Sequence, residues 1–140
     1  MDDIDTKIMT LLQYNARMSV AQISKEVAMS QPSVKERMMK LEEKNIISGY
    51  VTTFSLRELH RGTTTFILLK TEHCHELTDF CREAIEVTDL FRISGEYNYL
   101  MKVQTASIEE LAEFQDSLIK FGPSKSHISL KNILENRVLL

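Results

Sequence analysis

The chain has 140 residues, 43% of them hydrophobic and 26% charged, a balance that suits a folded soluble protein and is too apolar for a disordered one. No apolar run approaches the roughly 20 residues a membrane span needs, and the acidic start Met1-Asp2-Asp3 does not read as a signal peptide, so a cytoplasmic protein is expected, with Cys74 and Cys81 as reduced thiols. The net charge of −3 is uneven: residues 1–62 hold nine Lys+Arg against eight Asp+Glu, and residues 63–140 hold eight against twelve. Phosphates feel charge within about 8–10 Å, so the first half remains open to nucleic acid.

Ile4, Ile8, Leu11 and Leu12 recur at helical spacing behind Asp2 and Asp3, residues suited to an N-cap and to the positive end of a helix dipole. Asn15-Ala16-Arg17 ends this helix. Ser19 with Gln22 forms a capping box opening a second helix at about 19–28, whose apolar face is Val20, Ile23 and Val27. Ser30-Gln31-Pro32 starts a third at about 32–44, with Val34, Met38 and Leu41 as its stripe. Two capped helices joined by a three- or four-residue turn indicate a helix-turn-helix.

With that stripe inward, Pro32, Ser33, Glu36 and Lys40 face outward and Arg37 lies on the flank. Short polar residues ahead of cations suit a helix entering a major groove. The expected DNA-binding residues are Lys25, Gln31, Ser33, Lys35, Glu36, Arg37 and Lys40: Ser33, Glu36 and Arg37 at bases, with Lys35, Lys40 and Lys25 on phosphate. The competing account is a solvated face, on which Lys35, Arg37, Lys40 and Lys44 alternate with Glu36, Glu42 and Glu43. Ile46 to Phe54 is composed of strand formers, and a strand there predicts a winged variant. Leu56 to Gly62 reads as a charged hinge.

Thr63–Lys70 predicts a strand, Leu77 to Ile85 a helix, Leu90–Ser94 and Tyr99–Gln104 two strands around a Gly95–Asn98 turn. Ser107 with Glu110 opens another helix, stopped by Gly122-Pro123, and Lys125–Leu134 alternates as a last strand. The order βαββαβ is ferredoxin-like. Phe66 and Leu68 fall on one face of the first strand, Ile67 and Leu69 on the other, while two helices cover only one face; the remaining face calls for a second copy. The expected fold class is thus α+β: a winged helix-turn-helix at 1–50, a strand and hinge at 51–62, and a ferredoxin-like domain at 63–140.

His73, Cys74, His75 and Cys81 are the only cluster of metal-ligand types, and they lack the paired spacing of zinc sites. Phosphate loops and nucleophile elbows are absent. No metal, cofactor or catalytic residue is expected, and an enzyme built on the ferredoxin-like half ranks last.

The chain resembles the Lrp/AsnC (feast/famine) regulators. The likeness lies in Asp2-x-x-Asp5-x-x-Ile8, Arg17-Met18-Ser19, Ser30-x-x-Ser33-Val34-x-x-Arg37, Leu41-Glu42-Glu43-Lys44-x-Ile46-Ile47-x-Gly49-Tyr50 and Ser94-Gly95-Glu96-Tyr97-Asn98-Tyr99-Leu100. This resemblance implies a homodimer joined through its sheets, higher rings of dimers, and an amino acid or related metabolite bound near Gly95, Glu96, Tyr97, Asn98 and Tyr99. Two positions depart from the family. Asn45 replaces a usual Gly, which Asn's tolerance of the left-handed region accommodates. Asn98 replaces a usual Asp, and a neutral amide loses the charge-assisted bond to a ligand ammonium. The resulting expectation is a sequence-specific DNA-binding transcription regulator; the alternative is a metabolite-binding regulatory subunit whose helical domain docks a protein.

Overall fold

A computed structural model describes all 140 residues, which group into two compact units, 1–53 with 134–140 and 54–133.

The first unit contains α1 (Asp3–Tyr14), α2 (Val20–Glu26) and α3 (Gln31–Glu43). All three starts are capped. Asp2 accepts from the Asp5 amide while the Asp5 carboxylate accepts from the Asp2 amide, Ser19 and Gln22 do the same for α2, and Ser30 accepts from the Ser33 amide with Pro32 in the first turn of α3. Ile8, Ile23 and Val34, one from each helix, are fully buried and join Leu12 and Val27 in one core. Each such aliphatic side chain contributes about 1.5–3 kcal/mol relative to exposure. Lys7 Nζ donates to the Glu26 carbonyl at 2.6 Å, so a cation from α1 satisfies the end of α2. Two non-glycine residues take positive φ at helix exits, Ala28 at +52° and Asn45 at +54°.

The strand expected between Ile46 and Phe54 does not form: the segment is irregular, with Tyr50, Val51 and Phe54 exposed. Strand-forming side chains do not make a strand without a neighbouring backbone, and no other extended segment pairs with this one. The wing is therefore not present within the chain. Residues 134–140, placed by sequence with the second half, group with the helical unit, where the Val138 amide donates to Gln13 Oε1 at 2.7 Å.

The second unit runs β1 (Thr63–Leu69), α4 (Cys74–Glu83), β2 (Val87–Arg92), β3 (Tyr99–Thr105), α5 (Ile108–Leu118), a 3-10 turn at Ile119–Phe121, and β4 (Ser124–Ile128). The sheet is antiparallel throughout, in the order β2-β3-β1-β4 expected of the ferredoxin-like fold. β4 ends at Ile128 rather than near Leu134; beyond it Leu130, Ile133 and Leu134 are exposed. Ile67, Leu69, Met101 and Val103 point into a core completed by Leu77 and Cys81 of α4 and Leu111, Phe114 and Leu118 of α5. The opposite face is uncovered. Phe66, 38% exposed, and Leu68 lie there beside Leu100, with Phe91, 53% exposed, paired to Leu100 from β2.

Candidate nucleic-acid interface and effector turn

Helix α3 is aimed by its two neighbours and by its cap. Ser30 Oγ lies 2.8 Å from Ser33 Oγ, so the Ser33 hydroxyl is drawn into the cap while its residue stays half-buried. Gln31, Lys35, Glu36 and Lys40 are exposed along the outer side of the helix, and Lys25 is exposed in the last turn of α2. Lys40 Nζ pairs with Glu36 Oε1 at 2.7 Å, which lowers the Glu36 pKa and raises that of Lys40. Lys25, Lys35 and Lys44 form no ion pair.

Arg37 is placed otherwise than the sequence suggests. Its Nη1 donates to Asp5 Oδ1 at 2.7 Å and to Asp2 Oδ2 at 2.8 Å, and its side chain is only 27% exposed. The bond from Arg37, followed by the Asp2 amide, holds the Asp5 carboxyl below its ordinary range; for Asp2 the Asp5 amide comes first and Arg37 second. Arg37 is correspondingly raised, by Asp5 and then Asp2. The acidic Asp-x-x-Asp spacing was the available signal: it is a capping box written with carboxylates, leaving charge to recruit a cation. A second unforeseen bond runs from Tyr50 Oη to Glu42 Oε1 at 2.7 Å; burial and then Glu42 push the Tyr50 pKa up to about 12.

In the second unit the hairpin between β2 and β3 closes with the Ile93 amide donating to the Asn98 carbonyl at 3.0 Å. Gly95, at φ +106°, and Glu96 are exposed, Tyr97 is half-buried beneath Lys125 Nζ, 5.4 Å from its ring centroid, and Tyr99 is buried. Asn98 does not offer its amide to solvent. Its Oδ1 accepts from the Thr71 amide at 2.9 Å, its Nδ2 donates to the Thr71 carbonyl at 2.8 Å, and its own amide donates to the Leu69 carbonyl at 3.1 Å. An amide side chain can make this two-point pairing with a backbone; a carboxylate, having no donor, cannot.

Cys81 is buried, its thiol raised to about 11 by desolvation, while Cys74 opens α4 with Arg92 Nη1 at 3.6 Å from its sulfur. No three metal-capable side chains gather anywhere in the structure. No helix is long and apolar enough to cross a membrane.

A sequence model of the AsnC-type helix-turn-helix domain matches residues 1–42, and one of the Lrp/AsnC ligand binding domain matches residues 64–139. The chain belongs to the Lrp/AsnC family. It is a transcription regulator that joins a DNA-binding helix-turn-helix to a ligand-binding domain. Among its Lrp/AsnC relatives is an uncharacterised HTH-type transcriptional regulator of Bacillus subtilis, YezC, 34% identical across 94% of this chain and 95% of that protein. Another is the Escherichia coli K12 DNA-binding transcriptional activator DecR, 31% identical across 96% and 92%. A transcriptional regulator from Neisseria meningitidis solved as a complex with L-Met superposes with a TM-score of 0.92 at 25% identity, covering 100% of this chain and 96% of that one.

Proposed function

We propose that this Lrp/AsnC regulator acts as a homodimer whose two α3 helices enter successive major grooves, about 34 Å or a multiple apart, under the control of an amino acid or related metabolite bound near the β2–β3 turn. The observation that carries the DNA half is the outer side of α3. A capped helix start presents Gln31 and Ser33 ahead of Lys35, Glu36 and Lys40, with Lys25 beside it on α2. Base contacts fall to Gln31, Ser33 and Glu36, and phosphate contacts to Lys25, Lys35 and Lys40. Arg37, engaged by Asp2 and Asp5, is left out of the first rank of base contacts.

The dimer is supported by the uncovered apolar sheet face around Phe66, Leu68, Phe91 and Leu100. The effector is supported by the likeness to a regulator that holds L-Met, and by relatives such as the glutamate uptake regulatory protein of Zymomonas mobilis, 31% identical across 85% of this chain. Because both ends of the Asn98 amide are engaged by Thr71, a ligand ammonium would find its charged partner in the exposed Glu96 instead.

The test is binding of the full chain to duplex DNA across a salt series. Neutralised phosphates release counterions, so affinity for random duplex must fall as salt rises, with preference emerging for duplexes enriched from a randomised pool. Salt-independent or absent binding would favour a helical unit that docks protein. A thermal-shift screen over amino acids tests the effector, since a ligand that binds only the folded state raises the melting temperature.

A further inference from the structure

The Asp2–Asp5–Arg37 cluster is an odd feature for the edge of a DNA-binding surface. It carries two negative charges and one positive, so its net effect on a nearby phosphate is repulsive. It also withdraws one of the strongest DNA-contacting side chain types from the outer part of α3. The cluster has to be doing something inside the protein.

Geometry says what. Arg37 sits midway along α3, and both hydrogens of its Nη1 are spent on carboxylates at the start of α1. No other ion pair joins two elements of the helical unit; the Glu36–Lys40 pair lies within α3. Burial of Val34 and Leu41 sets the coarse rotation of α3, but apolar contacts are non-directional and leave smaller turns about the helix axis less sharply defined. A guanidinium held by two oxygens is directional. It refines the angle at which the outward residues of α3 are presented. Two residues beyond Asp5 on α1, Lys7 binds the terminal carbonyl of α2, so the first half of one helix grips both members of the helix-turn-helix.

We propose that Arg37 and Asp5 form a positioning pair that sets the rotation of the recognition helix, so that an acidic residue on α1, remote from bases and repulsive to phosphate, is required for sequence-specific binding. This rests on the DNA-binding reading above. Asp5→Asn is the informative change. The amide keeps an oxygen for the Asp2 backbone and so preserves the cap of α1, but loses the charge that holds Arg37. If Arg37 instead served DNA directly, the same substitution would remove a repulsive charge and free a guanidinium, and binding would tighten. The two readings differ in sign.

Wild-type chain, Asp5→Asn and Arg37→Gln are titrated onto a duplex enriched by the wild type from a randomised pool and onto a scrambled duplex, over a salt series, well below each variant's melting transition. Both variants are expected to lose roughly ten-fold or more on the enriched duplex, the scale of a misread base pair. On the scrambled duplex both should remain near wild type, with an unchanged slope of log affinity against log salt. Equal or tighter binding of the enriched duplex by Asp5→Asn overturns the proposal, as does a slope in Arg37→Gln reduced by about 0.9, the mark of a lost phosphate contact. A wild-type chain that enriches no duplex overturns the DNA-binding reading and this proposal with it, whereas the variant outcomes overturn the positioning pair alone.

Discussion

Asn98→Asp changes one atom and tests the account of the effector turn. The Nδ2 donor to the Thr71 carbonyl, at 2.8 Å, becomes an oxygen facing an oxygen, while the acceptor from the Thr71 amide is kept. A typical internal hydrogen bond contributes about 0.5–1.5 kcal/mol net, and a buried group left unpaired costs a further 1–3 kcal/mol or so. Thr71 is buried but Asn98 only half-buried, so water can relieve part of the penalty. A loss of about 2 kcal/mol at neutral pH follows, which moves a urea midpoint by about 1 M at an ordinary slope near 2 kcal/mol per M. The loss has a sign in pH. A protonated carboxyl can donate to the Thr71 carbonyl as the amide did, so the folded state favours the protonated form and the introduced carboxyl titrates above its ordinary value of about 3.9. The folded variant then binds more protons than the unfolded one as pH rises past the ordinary carboxylate value of about 3.9, and its stability falls from there up to the raised folded-state value. Urea unfolding of wild type and variant at pH 4 and pH 7 reads this directly. An equal deficit at both pH values, or none at either, would refute the two-point pairing.

The other predictions concern single contacts. Gly122→Ala should destabilise the second unit by about 3 kcal/mol or more in urea unfolding, because φ of +144° is glycine territory and an added Cβ would sit 2.0 Å from the Lys70 carbonyl oxygen, backbone that cannot step aside. Ala28→Gly, at φ +52°, should stabilise the helical unit by about 0.5–1 kcal/mol, seen as a higher melting temperature, since relief of the left-handed strain outweighs the added freedom of the unfolded chain. Asp2 and Asp5 both have folded pKa values depressed below the ordinary 3.8, so their contribution is complete above that value and is lost as pH falls through the lower folded-state values; an Asp2→Asn/Asp5→Asn variant should unfold with a shallower acid limb than wild type. Phe66→Glu should leave the chain monomeric in sedimentation, with its fold intact by circular dichroism, and persistence of a dimer would remove the sheet face as the contact.

Local signals were readable wherever the chain satisfies its own backbone over a few residues. Ser19 with Gln22, Ser30 with Pro32 and Ser107 before Glu110 marked helix starts that the structure places at the same residues, because a cap is a bond within four positions. The β-formers of Thr63–Lys70 marked a strand apolar on both faces, and the structure puts Ile67 and Leu69 on the core side. What failed depended on distance. Ile46–Phe54 has the side chains of a strand and no neighbour to pair with, and Ser129–Leu134 continues the alternation of β4 past the end of β1, after the Ser129 amide donates to the Thr64 carbonyl. Arg37, on the flank of its helix, was expected at a base, and Asn98 at the effector turn. Their actual partners, at sequence separations of 35 and 27 residues, lie beyond any local pattern.

Those two residues change how the electrostatics of recognition should be understood. With Arg37 held by Asp2 and Asp5, the cations of α2 and α3 proposed for phosphate are Lys25, Lys35 and Lys40, the last of them shared with Glu36. Three phosphate contacts from one helical unit give weak, salt-sensitive attachment, since each adds only about 0.9 to the salt slope. Linking a second unit makes the second docking event intramolecular, at an effective concentration set by the spacing of the two units rather than by the solution. On this arithmetic, the proposed pairing through the face around Phe66 and Phe91 would be a condition for useful affinity, and an effector at the β2–β3 turn that altered the pairing would change DNA binding without touching α3. The polar clamps at Asn98 and Arg37 fit that division of labour: one ties the turn to Thr71, the other ties α3 to the start of α1.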